Sequence, residues 1–207
     1  MPMSAQRLVA FLALHQDPLT RIFVAGKLWP EASEGRAFGS LRSTLWRIGS
    51  IGHPLVDAAG RHLRLSEHVA VDIQDLELLV RRVRTEASDP SDTELDYASS
   101  WGELLPDWYD EWLVEERERL RQIRLHALEL ICQRLITSRR FDRAVEIGLA
   151  AVGADPLRES AHRALIRAHA AEGNWSEAIR QYGVYRKTVE SELGFTPRGD
   201  LDSFLQG

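Results

Sequence analysis

Arginine, serine and glycine recur along one side of the segment Glu34–Ile48. At about 100° per residue of an α-helix, Arg36, Gly39, Ser43 and Arg47 fall together, with Ser40 and Trp46 at the edges and Arg42 on the flank. An Arg can offer two parallel donors to a guanine edge, a Ser can bond to a base edge or a phosphate, and a Gly lets a surface come close. The opposite side carries Phe38, Leu41, Leu45 and Ile48, an apolar back expected to pack inward. A second basic group, Arg61, His62 and Arg64, follows within a short β-type segment. Taken alone, the helix could be an ordinary amphipathic one whose polar side is merely solvated. The elements on either side of it favour a DNA-reading face. A third group is aromatic: Trp108, Tyr109 and Trp112, beside Asp107, Asp110 and Glu111. Such a cluster suits a protein-contact patch, although core packing accounts for it as well.

Catalytic constellations do not stand out. Gly26-Lys27 lacks both the upstream glycine and the following Ser/Thr of a phosphate-binding loop. The seven histidines show no metal-ligand spacing, and the one cysteine, Cys132, sits at an apolar helical position. No enzyme activity, metal or cofactor is therefore expected.

These residues need elements to hold them. The first third reads as three helices and a hairpin: Ser4–Leu14, Thr20–Leu28, a helix after Ser33 running to Ile48, then Leu55-Val56 and Arg61–Leu65 around Asp57–Gly60. Asp17-Pro18 breaks the first helix, and Thr20 and Ser33 are N-cap candidates for the next two. Three helices followed by a hairpin is the winged helix-turn-helix pattern. The hairpin then becomes a wing able to lie on a phosphate backbone.

From Val69 onward the pattern is nearly all helical. Helices are expected at Ile73–Thr85, Thr93–Ser100, Trp108–Leu135 (in one piece or as two meeting near Arg119), Phe141–Val152, Glu159–Glu172, Trp175–Glu190 and Asp200–Leu205. The run Glu115–Arg119 reads as a solvated face with i,i+4 pairs. A repeat is visible: Phe141-Asp142-Arg143-Ala144-Val145 aligns with Trp175-Ser176-Glu177-Ala178-Ile179, and the same offset aligns Ala127 with Ala161 and Ile131 with Leu165. A period of about 34 residues with small residues at the contacts is the tetratricopeptide signature. A degenerate third repeat is expected from Thr93–Arg119. The fold class is thus mainly α: a winged helix-turn-helix followed by a tetratricopeptide-like helical repeat domain.

Composition agrees with a globular chain. Of 207 residues, 44% are hydrophobic and 28% charged, and a single cysteine excludes a disulfide framework. No apolar run reaches the ~20 residues that span a bilayer. Arg7 interrupts the apolar start and no small-residue cleavage site follows, so a cytoplasmic protein without membrane contact is expected. The net charge of −5 is unevenly spread: residues 1–69 hold eight Lys/Arg against five Asp/Glu, and the remainder is acidic. The basic first third is the place for phosphate contacts.

The segments Leu-Val-Ala-Phe-Leu-Ala-Leu-His at 8–15, Val-Ala-Gly-Lys-Leu-Trp-Pro-Glu-Ala at 24–32 and Gly-Arg-Ala-Phe-Gly-Ser-Leu-Arg-Ser-Thr-Leu-Trp-Arg-Ile at 35–48 resemble the DNA-binding part of the Streptomyces antibiotic regulatory protein family. The segment 102–121 and Glu-Leu-Gly-Phe-Thr-Pro at 192–197 are similar to the bacterial transcriptional activator domain that follows it in that family. The resemblance implies a DNA-binding domain over 1–69 and an activator domain of helical repeats over 70–207. Family members carry a four-stranded sheet ahead of the first helix, and here that sheet is expected to be missing. The implied function is a transcriptional activator that binds double-stranded promoter repeats, pairs as a homodimer and engages RNA polymerase. Its DNA contacts are expected from Arg36, Ser40, Arg42, Ser43, Arg47, Arg61, His62 and Arg64, and its protein contacts from Trp108, Tyr109 and Trp112. The alternative from another class is a tetratricopeptide scaffold for protein partners with no DNA role.

Overall fold

A computed structural model describes residues 1–50, 52, 54–85 and 89–197. The chain forms two compact units, Met1–Gln74 with Trp108–Glu116, and Asp75–Asp107 with Arg117–Gly207.

In the first unit, α1 (Met3–Ala13) buries Ala5, Leu8, Phe11 and Leu12, the spacing of one helical face. After the Asp17-Pro18 break comes β1 (Leu19–Thr20), followed directly by α2 (Arg21–Leu28). Thr20 caps α2: its side-chain oxygen accepts from the Phe23 N–H at 3.3 Å. The chain turns at Trp29–Ser33 into α3 (Glu34–Gly49), which completes the helix-turn-helix. The wing is β2 (Val56–Ala59) and β3 (His62–Leu65), antiparallel, with Ala59 opposite His62. Only Gly60 and Arg61 lie between the strands. Gly60 takes φ +57, the left-handed region that glycine enters without strain. Among the described residues the sheet has three strands, in the order β1-β3-β2, one more than the sequence suggested. Leu19 pairs with Leu63 there, and Leu63 is fully buried. A two-residue strand is too short to show alternation, so it left no sequence signal.

The second unit holds most of α4 (Asp72–Thr85), α5 (Asp92–Ser100), α6 (Glu111–Thr137) from Arg117 onward, α7 (Phe141–Ala154), α8 (Glu159–Glu172) and α9 (Trp175–Leu193). A capping box starts α5: Ser91 and Glu94 each bond the other's backbone N–H. Glycine ends α8, where Gly173 takes φ +89. One core joins α4 to α8 through Leu79, Val83, Leu95, Leu128, Ile131, Leu135, Ile147 and Ala161. Each large aliphatic there contributes about 1.5–3 kcal/mol through burial.

The 34-residue repeat holds in space. Ala127 and Ala161, Ile131 and Leu165, and Ala144 and Ala178 are all fully buried at matching helix contacts. The helix pairs α6–α7 and α8–α9 are therefore tetratricopeptide-like. The expected third pair at Thr93–Arg119 is not what forms. No helix covers 101–110, and the layer ahead of α6 is built from α4 and α5 instead. From its start at Glu111, α6 is one continuous helix with no break at Arg119. Arg117 is not simply solvated: its Nε donates to the Leu104 carbonyl at 2.8 Å, and its guanidinium also pairs with Glu103 and reaches the Leu105 carbonyl. The helix expected at Asp200–Leu205 lies outside the described residues. Among the described residues no helix is long and apolar enough to cross a membrane.

Candidate nucleic-acid interface

The exposed side of α3 forms because its other side is consumed by packing. Ala37, Leu41, Thr44 and Ile48 are buried, while Phe38 and Leu45 are only half-buried. The inward face is thus rotated by about 50° from the expected one, at about 100° per residue. The reason is steric: small Ala37 and Thr44 sit inward, and bulkier Phe38 and Leu45 move to the margin. The rotation puts Gly39, Arg42, Ser43 and Trp46 at the outward centre. Arg36 and Arg47 become flanking but stay exposed, and Ser40 is half-buried.

Among the described residues the side chains of Arg36, Arg42, Arg47 and Arg61 have no ion-pair partner. Each is available to an outside anion. Arg36 also borders an open depression of about 530 Å³ that it shares with Arg7, Trp29, Asp110 and Glu111.

On the wing, Arg61 sits at the turn and His62 begins β3, both exposed. Arg64 differs. Its Nε bonds Asp57 at 3.2 Å and its Nη1 meets Glu67 at 2.9 Å, so its charge is largely answered within the fold. Arg21 was not singled out in the sequence, yet it fixes the wing. Its backbone N–H donates to the Arg61 carbonyl and its Nε to the Gly60 carbonyl, both at 2.9 Å. Nothing in sequence spacing signals this contact, which joins residues 39 apart.

The aromatic group divides. Trp112 is buried in the first unit, with its ring edge-on to Phe11 at 5.2 Å. It is a core residue, not an exposed contact, because α1 needs a large apolar partner beside Phe11. Trp108 is half-buried, and Tyr109 is 92% exposed. Among the described residues no cluster of His, Cys, Asp and Glu could hold a metal ion.

Residues 71–206 match the profile of the bacterial transcriptional activator domain. The chain belongs to that family. Membership in the bacterial transcriptional activator domain family agrees with the resemblance carried by residues 102–121 and 192–197. No curated protein matches the chain. Among solved structures it is similar to EmbR of Mycobacterium tuberculosis, determined in complex with a low-affinity phosphopeptide. The TM-score is 0.73 at 21% identity, over 99% of this chain and 59% of the EmbR chain. The likeness supports the fold, a winged helix-turn-helix with a helical domain. This family member spans little more than half of the EmbR chain.

Proposed function

We propose that this protein is a sequence-specific DNA-binding transcriptional activator of the cytoplasm. It reads double-stranded promoter DNA with α3 and steadies the duplex with the wing. The observation that carries this reading is the set of exposed arginines Arg36, Arg42 and Arg47, unpaired among the described residues, on the second helix of a helix-turn-helix. Unpaired cations on one face supply the sequence-independent phosphate attraction, and the same donors can read guanine. Ser40 and Ser43 add neutral bonds to bases or phosphates, and Arg61 and His62 meet the backbone beside the groove.

Promoter repeats imply that two copies bind side by side. The helical domain is the part free to hold the second protomer or RNA polymerase. Its exposed apolar side chains Ile179 and Leu193 on α9 suit such contacts. Tyr109 is a further exposed aromatic for a protein partner.

Fluorescence anisotropy on promoter duplexes from the gene's own neighbourhood, titrated with salt, tests the reading. Selective binding that weakens as salt rises supports it. A folded chain that binds no duplex at low salt leaves the alternative, a tetratricopeptide scaffold for proteins.

A further inference from the structure

Trp46 is 75% exposed near the outward centre of α3 and joins none of the aromatic pairs found among the described residues. A lone exposed apolar side chain is common. The position of this one is what matters. Arg42 and Ser43 lie one turn before it and Gly49 one turn after, and Gly39 sits two turns back on the same ridge. A Cβ at Gly39 or Gly49 would meet nothing within 4 Å, so the helix ridge before and after the indole is open. Trp46 is therefore the tallest apolar feature on a face whose other projecting groups are Arg42, Ser43 and the flanking Arg36 and Arg47.

We propose that Trp46 reads thymine, by laying its indole against a 5-methyl group in the major groove. The inference rests on the reading of α3 as the DNA-facing helix. Charge complementarity selects the occupant: uncompensated arginines on both sides of the indole draw a polyanion, not an apolar protein face. The chemistry of the groove selects the base. Thymine alone carries an apolar group on its major-groove edge. An indole has one N–H donor and no acceptor, so it cannot satisfy the amino groups of cytosine or adenine. An apolar plate among arginines thus separates A·T pairs from G·C pairs, a distinction the arginines leave open at that position.

The test uses the whole chain and duplexes selected by it from a randomised pool. Each thymine of a selected duplex is replaced in turn by deoxyuridine, which keeps every hydrogen-bonding group and removes only the methyl. One replacement should weaken binding about fourfold, the effect of one buried methyl-sized group. Trp46→Ala should bind the parent duplex at least about tenfold more weakly and respond equally to thymine and deoxyuridine at that position. Trp46→Phe should keep part of the methyl preference. The side chain is exposed, so both variants should retain wild-type circular dichroism. If no replacement matters to the wild type, or if Trp46→Ala keeps the methyl preference, the inference is overturned while DNA reading by α3 stands. If the wild type selects no duplex at all, the reading of α3 itself fails.

Discussion

Arg7 on α1 joins two distant parts of the first unit. Its Nη2 donates to the Leu28 carbonyl at the end of α2 at 2.9 Å, and its guanidinium forms an ion pair with the Asp110 carboxylate. Both side chains are largely covered, at 24% and 16% exposure. The pair anchors the start of α6 beside the helix-turn-helix and brings Trp112 onto Phe11. A covered ion pair is costly to half-remove, because the partner left behind keeps its desolvation penalty. Arg7 already has one buried N–H, at Nε, without a partner among the described residues. Asp110→Ala is expected to lower stability by about 1–3 kcal/mol, while Asp107→Ala, at an exposed position, should change little. Urea unfolding followed by tryptophan fluorescence compares them. Equal midpoints for the two variants would remove the anchoring role of Asp110.

The wing separates two arginines that look alike in sequence. Arg61 is exposed and unpaired among the described residues, and Arg64 is held between Asp57 and Glu67. A cation already answered by two carboxylates releases little when it meets a phosphate. Arg61→Ala should therefore weaken binding to all duplexes alike and reduce the salt slope by about 1. Arg64→Ala should do clearly less. On α3, Arg42→Ala and Arg47→Ala should each cost about 1–3 kcal/mol on the preferred sequence if each pairs with a base. Anisotropy on selected and scrambled duplexes at several salt concentrations distinguishes these effects. A larger loss from Arg64→Ala than from Arg61→Ala would contradict the wing assignment.

Periodicity made the helices and the 34-residue repeat legible, because buried positions such as Leu8, Leu41, Ala127 and Ala161 recur at the spacing of their elements. The rotation of α3 was not legible. A helical wheel ranks side chains by hydrophobicity, whereas close packing inside the unit selects Ala37 and Thr44 by size. Partnerships between distant residues escaped for the same reason: Arg7 with Asp110, Phe11 with Trp112 and Arg21 with Gly60 leave no local pattern. The aromatic cluster at 108–112 could be seen, but its division into the buried Trp112 and the exposed Tyr109 depends on where α1 lies.

His162 gives the second unit a pH dependence. It is buried on α8, with Nε2 at 2.9 Å from the Pro156 carbonyl and Nδ1 at 3.0 Å from the Gln181 amide nitrogen. These partners place the proton on Nε2 and leave Nδ1 as an acceptor. The ring also packs on Tyr185 at 4.7 Å. Burial holds the imidazole pKa below its ordinary value, against the opposite pull of the Pro156 carbonyl and Asp155. The unfolded chain then takes up a proton more readily than the folded one, so stability falls as pH drops through about 6.5 and below. Protonation at Nδ1 would also break the bond from Gln181. In urea unfolding between pH 7.5 and 5, the wild-type midpoint should fall more steeply than that of His162→Gln. Parallel profiles would show that His162 contributes no linkage.

Two glycines inside helices should respond to the same substitution with opposite signs. In α7, a Cβ at Gly148 would lie 3.0 Å from the Leu165 Cα and 3.1 Å from its Cβ. That backbone belongs to α8 and cannot move aside without parting the helix pair. In α9, a Cβ at Gly183 would meet nothing within 4 Å. Alanine is the better helix former by about 0.5–1 kcal/mol at either position. At Gly183 that gain stands alone, and Gly183→Ala should raise stability by that amount. At Gly148 it is opposed by overpacking of about 1–3 kcal/mol, and Gly148→Ala should be net destabilising. Thermal unfolding of the two variants beside the wild type reads both signs. If Gly148→Ala were as stabilising as Gly183→Ala, the close approach of α7 to α8 that the repeat requires would be wrong.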